Sequence, residues 1–368
     1  MQRKENGNAD ARAPDERSDG VRAGGPARRG RKTVLVFGGS GMLGSEIVGR
    51  FEAAGGASGR NPAWIVRWTN RDIANYRNVD EAVGGAKPDV VVNCAGLTNV
   101  DRCEVDQALA YAVNAVGPSN LARACRLHGV PLFVHVSTDY VFSDGPGDAP
   151  GEPVVHRCDS RDFDPVNAYG LTKLAGELAV ANEYAGRETG AAGSPDWVVV
   201  RTSRLYGRNR YNFPDFICDV CLGARRPDGP LELMDGNFSV PTSATFLADR
   251  IFRIANRRGA GRRGAAAPRH VVHVVNPFRT AGDVPSLYGY ADKVFEILSR
   301  LGLKPVRRFR SAAFGRAAAP DDDRRTARRP FSSILEPSAE ETRGGRFWDE
   351  ELACYIQKKF ANGIKDVR

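Results

Sequence analysis

The chain has 368 residues, of which 42% are hydrophobic and 26% are charged. A chain of this size and composition can bury one large core or two smaller ones, which excludes disorder of the whole chain. No stretch approaches the roughly 18 consecutive apolar residues that a membrane helix needs, and no signal peptide is recognisable. Seven scattered cysteines are typical of reduced thiols rather than of a disulfide framework. We therefore expect a cytoplasmic protein without a membrane partner.

The formal net charge of +9 raises the question of a nucleic-acid partner. Residues 1–32 hold nine Lys/Arg and five Asp/Glu, so nearly half of the excess charge lies in this segment. The segment is polar and almost free of large apolar residues, which predicts a disordered basic tail. Residues 257–269 predict a basic loop. Because no aromatic residues alternate with the cations and no DNA-binding motif is present, we expect solvated loops and no nucleic-acid partner.

The first half of the chain alternates strand and helix signals. A short apolar run at 33–37 precedes the glycine-rich GGSGMLG and an amphipathic stretch at 45–55, which predicts strand, turn and helix. Further buried strands are predicted at 64–68, 89–93, 131–136 and 197–201, and helices at 114–128 and 168–183. Continuous apolar strands that alternate with helices predict an α/β fold with a doubly wound parallel sheet of the Rossmann type.

After about residue 206 the pattern is less regular. Helices are predicted at 213–222 and 286–301, short strands at 231–234 and 271–275, and loops at 186–195 and 310–330. The single Cys218-x-x-Cys221 falls on a predicted helix, which favours helix packing over a zinc or redox site. We predict an NAD(P)-binding Rossmann domain at 33–202. Residues 203–368 are predicted to form mainly a smaller substrate-binding lobe, partly interleaved with the first domain.

The glycine-rich turn carries the first chemical signal. Gly38, Gly41 and Gly44 follow the spacing GxxGxxG directly between the first strand and the first helix. There, bare backbone and the positive end of a helix can receive a dinucleotide pyrophosphate, whereas the alternative is a merely structural tight turn. Met42 and Leu43, which lie within the same turn, complete the predicted phosphate loop.

The end of the second strand predicts the choice of cofactor. In this fold an acid at that position binds the ribose hydroxyl of NAD, and a base accepts the 2′-phosphate of NADP. The segment IVRWTNRD offers Arg67, with Arg71 as the second candidate, which favours NADPH and leaves NADH as the alternative. Asp72 and Ile73 are predicted to reach the adenine, and the alternative role of Asp72 is a helix cap or turn.

A second constellation combines the segments VHVSTDYVF and NAYGLTK. Thr138 ends a predicted strand, and Tyr169 and Lys173 stand one helical turn apart on the same helix face. The nearby ammonium is expected to favour the tyrosinate form of Tyr169, which would make it a better proton shuttle. Lys173 can also hold the cofactor ribose. The Tyr-x-x-x-Lys spacing alone is common on amphipathic helices. It indicates a catalytic pair here because Thr138 ends the strand that would face this helix.

At this point the sequence resembles the dTDP-4-dehydrorhamnose reductase family of the short-chain dehydrogenase/reductase superfamily. The resemblance extends from about residue 33 to 335, and the segments that carry it are VLVFGGSGMLG, PDVVVNCAGLTNVDRCEVDQALAYAVNAVGPSNLARAC, VHVSTDYVF, NAYGLTKLAGE, VVVRTSRLYG, SVPTSATFLAD and ARRPFSSIL. It implies a reductase of a 4-keto-6-deoxy nucleotide sugar, in which NADPH or NADH delivers hydride to C4.

The resemblance also implies roles for particular residues. Tyr169 would protonate the developing alkoxide, Thr138 would hydrogen-bond the carbonyl oxygen, and Lys173 would orient the ribose. The implied cofactor groove adds Asn93, Ala95 and Gly96 to the glycine turn. The implied substrate contacts, besides Thr138, are Asp139, Tyr140, Arg204, Asn212, Thr242 and Arg329. No metal site is assigned, and only fold analogy suggests a homodimer.

Arg204 departs from the family, which commonly has tryptophan at this position. We expect the arginine either to change the sugar or nucleotide preference or to turn outward without effect. Arg204 also supports another interpretation, in which the protein is a related reductase or epimerase that acts on a different keto-sugar or a small ketone. A further alternative is the NADP-binding regulatory beta subunit of S-adenosylmethionine synthetase, which resembles the same segments. Thr138 favours the enzyme, because the regulatory proteins usually place serine there.

Overall fold

The computed structural model describes residues 31–55, 64–143, 152–186, 195–258, 270–313 and 327–361. Nearly all of the predicted basic tail lies outside these residues. So does most of each predicted loop at 186–195, 257–269 and 310–330.

Helices make up much of the described chain. The α-helices are α1 (Met42–Gly55), α2 (Tyr76–Ala86), α3 (Val100–Val105), α4 (Gln107–Tyr111), α5 (Gly117–Leu127), α6 (Ala168–Glu183), α7 (Phe213–Leu222), α8 (Ala244–Arg258), α9 (Leu287–Arg300), α10 (Ala339–Thr342) and α11 (Trp348–Ala361). A π-helical segment, Ala112–Val116, joins α4 to α5, and short 3-10 turns occupy Asp139–Val141 and Ala281–Asp283. No helix in the described ranges is long and apolar enough to cross a membrane.

The strands of the described residues form one large sheet and three small ones. They are β1 (Lys32–Phe37), β2 (Trp64–Thr69), β3 (Val90–Asn93), β4 (Leu132–Thr138), β5 (Val155–His156), β6 (Asp196–Thr202), β7 (Leu205–Tyr206), β8 (Leu231–Asp235), β9 (Thr242–Ser243), β10 (Val271–His273), β11 (Phe309–Ala313) and β12 (Ile334–Leu335). The large sheet has the order β10-β6-β4-β3-β1-β2, and every pairing in it is parallel. The predicted α/β fold with a doubly wound parallel sheet is confirmed.

Helices cover both faces of this sheet, which explains why its strands read as continuous apolar runs. Side chains alternate along β1, so Val34 and Val36 pack in the core that contains α1 and α8. Leu35 and Phe37 pack on the opposite face in the core that contains α2 and α5. Each face therefore has its own apolar layer, and the carboxyl ends of the strands stay free for a site.

A separate core fills the second half of the chain. Helices α7, α9 and α11 pack with β8 and β11 around buried apolar side chains. Cys218 and Cys221 lie in this core on α7, which agrees with helix packing. From this half β10 joins the large sheet beside β6. The domain boundary near residue 202 stays a prediction.

The topology determines where a ligand can bind. From β1 the chain passes to β2 at the edge of the sheet and then returns to β3 on the other side of β1. At such a reversal the two connections leave in opposite directions, and a crevice opens at the carboxyl ends of the strands. The glycine turn that follows β1 lies at this crevice.

Candidate active site

The glycine turn leaves no room for side chains. Gly38 has a φ of +78°, and a Cβ at this position would lie 2.8 Å from the backbone nitrogen of Ala95. A Cβ at Gly44 would lie 2.1 Å from the carbonyl oxygen of Gly38. Helix α1 begins at Met42, so its unpaired first N–H groups belong to this turn. Bare backbone at a helix N-terminus suits a phosphate group.

A buried asparagine shapes the opposite wall of the crevice. Asn93 ends β3, and its Oδ1 accepts a hydrogen bond from the Ala95 N–H at 3.0 Å. Its Nδ2 lies 3.1 Å from Nδ1 of His135. These bonds hold the turn in which Ala95 and Gly96 approach the glycine turn. Asn93 therefore positions the cofactor groove and is itself fully buried.

A cavity of about 640 Å³ extends from the glycine turn across the ends of β3, β4 and β6. It brings together twelve of the predicted site residues: Gly41, Met42, Leu43, Gly44, Ala95, Gly96, Thr138, Asp139, Tyr140, Tyr169, Lys173 and Arg204. The predicted residues outside its lining are Gly38, Arg67, Asp72, Ile73, Asn93, Asn212, Thr242 and Arg329. One continuous cavity thus joins the glycine turn to the Tyr-x-x-x-Lys helix.

Helix α6 brings the phenol to the end of β4. Asn167 caps the helix, because its Oδ1 accepts the N–H of Gly170 at 2.9 Å. A Cβ at Gly170 would lie 2.1 Å from the carbonyl oxygen of Tyr140, so only glycine lets the helix approach this closely. The approach brings Tyr169 into the same cavity lining as Thr138. The ring of Tyr140 packs edge-on against Tyr169 with ring centres 5.9 Å apart.

Burial shifts the pKa values of both Tyr169 and Lys173. It raises the pKa of Tyr169 well above its usual value and outweighs the opposing effect of the nearby Thr138 hydroxyl. The pKa of Lys173 is lowered by burial to about 8, while the carboxylate of Glu177 opposes the shift. The Lys173 ammonium donates to the carbonyl oxygen of Val136 at 2.7 Å. Lys173 is not among the main causes of the Tyr169 shift, so the expected effect of its ammonium on the tyrosinate form stays a prediction.

Asp139 is held by three hydroxyl groups. Its Oδ1 accepts from Thr138 at 3.0 Å, and its Oδ2 accepts from Ser239 at 2.8 Å and Ser333 at 2.7 Å. Burial raises the pKa of Asp139, and the three hydrogen bonds oppose the shift. Sequence reasoning missed both serines, although Ser239 begins the segment SVPTSATFLAD. The network couples the end of β4 to two segments of the second half of the chain.

Arg204 turns into the molecule and lines the cavity. Its φ of +39° is rare for a residue with a side chain. Nη2 donates to Oδ1 of Asn237 at 2.9 Å and to the backbone oxygen of the same residue. The guanidinium lies 5.8 Å from the ring centre of Tyr290, and burial lowers its pKa. Within the described ranges its buried Nη1 has no hydrogen-bond partner. The outward alternative is therefore wrong.

The predicted adenine-side residues lie outside the cavity lining. Arg67 stands on β2, two residues before its end, and Arg71 pairs with Glu81 at 3.2 Å. Asp72 is exposed, and its Oδ1 accepts the N–H two residues further on, which is the turn role noted as its alternative. The side chain of Ile73 is buried in the core below α5. Cofactor contacts of these residues stay predictions.

Three predicted substrate residues also have structural partners. Asn212 caps α7, where its Oδ1 accepts from the third residue of the helix. Thr242 is fully buried, and its hydroxyl donates to Val240 at 3.1 Å. Arg329 donates from Nη2 to Asp101 at 2.9 Å. Because these groups are engaged away from the cavity, their substrate contacts stay predictions. No cluster of three or more His, Cys, Asp or Glu in the described part of the chain could hold a metal ion.

Known proteins are similar to this chain in sequence and fold. A sequence profile of the RmlD substrate binding domain matches residues 32–360. A dTDP-4-dehydrorhamnose reductase of Streptomyces griseus is 35% identical over 84% of this chain and 86% of its own length. The crystal structure of a dTDP-4-dehydrorhamnose reductase from Clostridium acetobutylicum has a TM-score of 0.66 and 28% identity, over 89% of this chain and 99% of that chain.

A further solved structure is similar to this chain in its fold. It is the Bacillus anthracis dTDP-4-dehydrorhamnose reductase in complex with NADP, with a TM-score of 0.66 and 24% identity over 89% of this chain and 99% of that chain. The profile match covers the glycine turn, helix α6 and most of the second half of the chain. The resemblance that the motifs indicate is confirmed, and the chain belongs to the dTDP-4-dehydrorhamnose reductase family.

Proposed function

We propose that this protein is an NADPH-dependent reductase of a dTDP-linked 4-keto-6-deoxy sugar. The observation that carries the proposal is the single cavity that contains Thr138, Tyr169 and Lys173 at one end and the glycine turn at the other. The Streptomyces griseus relative bears the name of this activity. The Bacillus anthracis structure was solved in complex with NADP.

The residues at the crevice fit a dinucleotide. A Cβ at Gly44 would collide with the carbonyl oxygen of Gly38, so the backbone there is bare where a pyrophosphate needs close approach. Met42, Leu43 and Gly44 present the first N–H groups of α1, and Ala95 and Gly96 line the facing wall. NADPH, when bound, supplies the hydride that reduces the C4 carbonyl.

The side chains at the other end supply the proton and the orientation. As a C–H bond forms at C4, the electron pair of the C=O bond moves to oxygen, and Tyr169 gives this oxygen its phenolic proton. The raised pKa of Tyr169 keeps that proton in place near neutral pH. Thr138, whose hydroxyl donates to Asp139 in the structure, would redirect its O–H to the same oxygen. Lys173 as an ammonium would hold the cofactor ribose.

Arg204 is the proposed selectivity residue at the sugar end. It lies in the cavity lining with Asp139 and Tyr140, and Asn237 fixes its guanidinium. The family commonly has an apolar tryptophan ring here. An arginine in its place favours sugars that present a hydrogen-bond acceptor, because a buried guanidinium N–H without a partner costs free energy. Arg204 would therefore select among keto-sugars without taking part in the proton transfer.

Assembly and location stay predictions. A homodimer rests on fold analogy alone, and sedimentation of the purified chain at two concentrations tests it. The cytosolic location and the absence of a nucleic-acid partner likewise stay predictions. A salt titration against DNA and RNA tests the latter, since an electrostatic partner would lose affinity steeply as salt rises.

The decisive assay follows NADPH oxidation by its near-ultraviolet absorbance. dTDP-4-dehydro-6-deoxy-L-mannose and its UDP counterpart are supplied separately, and NADH replaces NADPH in a parallel series. We expect rapid oxidation with NADPH and the dTDP substrate. Binding of NADPH without oxidation of it by either substrate would contradict the proposal and favour the regulatory-subunit alternative.

A further inference from the structure

The loop that connects β7 to α7 is fastened to the first turns of α1. Arg208 forms two contacts with the carboxylate of Glu46, at 3.3 Å from Nε and 3.2 Å from Nη2. Asn209 donates from Nδ2 to the hydroxyl of Ser45 at 2.7 Å. The hydroxyl of Thr245 on α8 also donates to Glu46 at 3.0 Å. The loop is therefore held beside the helix end that forms part of the glycine turn.

The same loop is fixed at both ends. The carbonyl oxygen of Gly207 accepts from Nδ2 of Asn212 at 2.7 Å and from the Tyr355 hydroxyl at 3.2 Å. A Cβ at Gly207 would lie 3.2 Å from the side chain of Met42, so the loop packs directly on α1. Asn212 also donates to the backbone oxygen of Arg210 at 3.0 Å. These contacts fix the backbone from which the Arg210 side chain emerges.

Arg210 differs from its neighbours in the loop. Arg208 and Asn209 are engaged with α1, whereas the side chain of Arg210 makes no hydrogen bond or ion pair with any residue that the structure describes. Its side chain is exposed and lines the cavity together with Gly41 and Met42. The carboxylate in the same lining, Asp139, already accepts three hydrogen bonds from hydroxyl groups. The cavity thus holds a guanidinium without an anion from the protein.

We propose that Arg210 binds a diphosphate group in this cavity. The inference rests on the proposed function, in which both ligands carry a diphosphate: the cofactor and the nucleotide sugar. A guanidinium presents a planar fork of N–H donors that matches two phosphate oxygens, and the fixed loop reduces the entropy lost on binding. Sequence reasoning missed this residue because neither its spacing nor its neighbours form a recognised motif.

Binding measurements on the full chain test the proposal. NADPH is titrated by its fluorescence, and dTDP is titrated by calorimetry into the NADPH-loaded protein. The variants are Arg210→Ala, Arg210→Lys and the matched control Arg226→Ala, which removes an exposed arginine outside the cavity lining. For the ligand whose diphosphate Arg210 contacts, we expect Arg210→Ala to weaken binding about tenfold and Arg210→Lys about threefold. The control is expected to bind both ligands like the unaltered protein.

The two titrations distinguish the two sources of the diphosphate. A loss for NADPH alone supports contact with the cofactor, and a loss for dTDP alone supports contact with the nucleotide sugar. Affinities of Arg210→Ala that stay within about twofold of the control for both ligands would overturn the inference. Neither titration needs turnover, so an absence of NADPH oxidation in the unaltered protein would refute the proposed reaction and leave the Arg210 result intact.

Discussion

A buried ion pair supports the catalytic helix, and removal of its charge is expected to have two separable effects. Glu177 lies on α6 one turn after Lys173, and it accepts from Arg201 on β6 at 3.0 Å from Nε and 2.7 Å from Nη2. The side chains are only 5% and 2% exposed. The guanidinium also lies 5.0 Å from the ring centres of Phe142 and Phe163. The pair therefore ties the helix of Tyr169 to strand β6 of the large sheet without help from solvent.

The change Glu177→Gln keeps the shape of the side chain and removes its charge. Loss of one partner from a buried pair costs roughly 3–5 kcal/mol, because the other charge stays buried without compensation. The glutamine oxygen still accepts one hydrogen bond, so we expect the lower end, about 3 kcal/mol. With an m-value of about 3 kcal/mol per molar urea, the unfolding midpoint falls by about 1 M.

Urea unfolding of three variants checks this magnitude. Arg201→Met keeps an apolar stem between the aromatic rings, and the double variant with Glu177→Gln removes both charges. We expect the double variant to be clearly more stable than the sum of the two single losses predicts, since it leaves no unpaired charge. A cost below about 1 kcal/mol for Glu177→Gln would refute the reasoning, because a truly desolvated guanidinium cannot lose its partner at so small a cost.

The second effect appears in the pH dependence of the rate. Burial lowers the pKa of Lys173 to about 8, and Glu177 acts against this shift. Lys173 carries its positive charge below its pKa. The reaction rate, which depends on this ammonium, should therefore be high below about pH 8 and should fall above it. Glu177→Gln lowers the pKa further and should move this alkaline limb to lower pH. A variant that merely loses stability would keep the limb in place.

Four further results follow from the site. Tyr169→Phe removes the proton donor and should lower turnover at least about a hundredfold while NADPH still binds; turnover near the starting rate would exclude this role. In the unaltered protein, kcat/KM should fall as the pH rises through about 8 with the charge of Lys173, and a rate that stays level well above this pH would contradict its role. Arg204→Trp should change the ratio of kcat/KM between dTDP- and UDP-linked keto-sugars, and an unchanged ratio would show that Arg204 selects neither. Gly44→Ala places a Cβ 2.1 Å from the carbonyl oxygen of Gly38 and should weaken NADPH binding at least about tenfold, whereas undiminished binding would show that the turn can relax.

The sheet could be predicted because its strands are buried on both faces. β3, for example, is buried at all four positions, and three consecutive valines precede its final asparagine. Helix α6 has the predicted bounds because Asn167 caps its start. The prediction of one helix at 114–128 is wrong at its start, since α4 begins at Gln107 and a π-helical segment follows. Asn114 in that segment bonds to Leu97 and Thr172, which no local spacing reveals.

The candidate site likewise contains residues that the sequence predicts and residues that it does not predict. The glycine turn and the pair Tyr169 and Lys173 are local motifs, so their chemistry can be read from spacing along one segment. The two serine partners of Asp139 stand 100 and 194 residues away along the chain, and they meet it only after the two halves fold together. Residues such as Arg67 and Asp72 were assigned from their place at a strand end. The direction of a side chain there depends on the surrounding packing.

Arg204 shows why the reaction and the substrate preference can change independently. Its guanidinium is held by Asn237 and faces Tyr290, and both belong to the second half of the chain. The groups proposed to move the proton lie on β4 and α6, and none of them bonds to Arg204 in the described structure. A tryptophan in its place would leave the Asn237 oxygen without this donor but would not disturb the hydrogen bond between Thr138 and Asp139. Arg204→Trp should therefore alter selectivity between sugars and leave the alkaline limb of the pH profile unmoved, and a shifted limb would show that the two ends of the cavity are coupled.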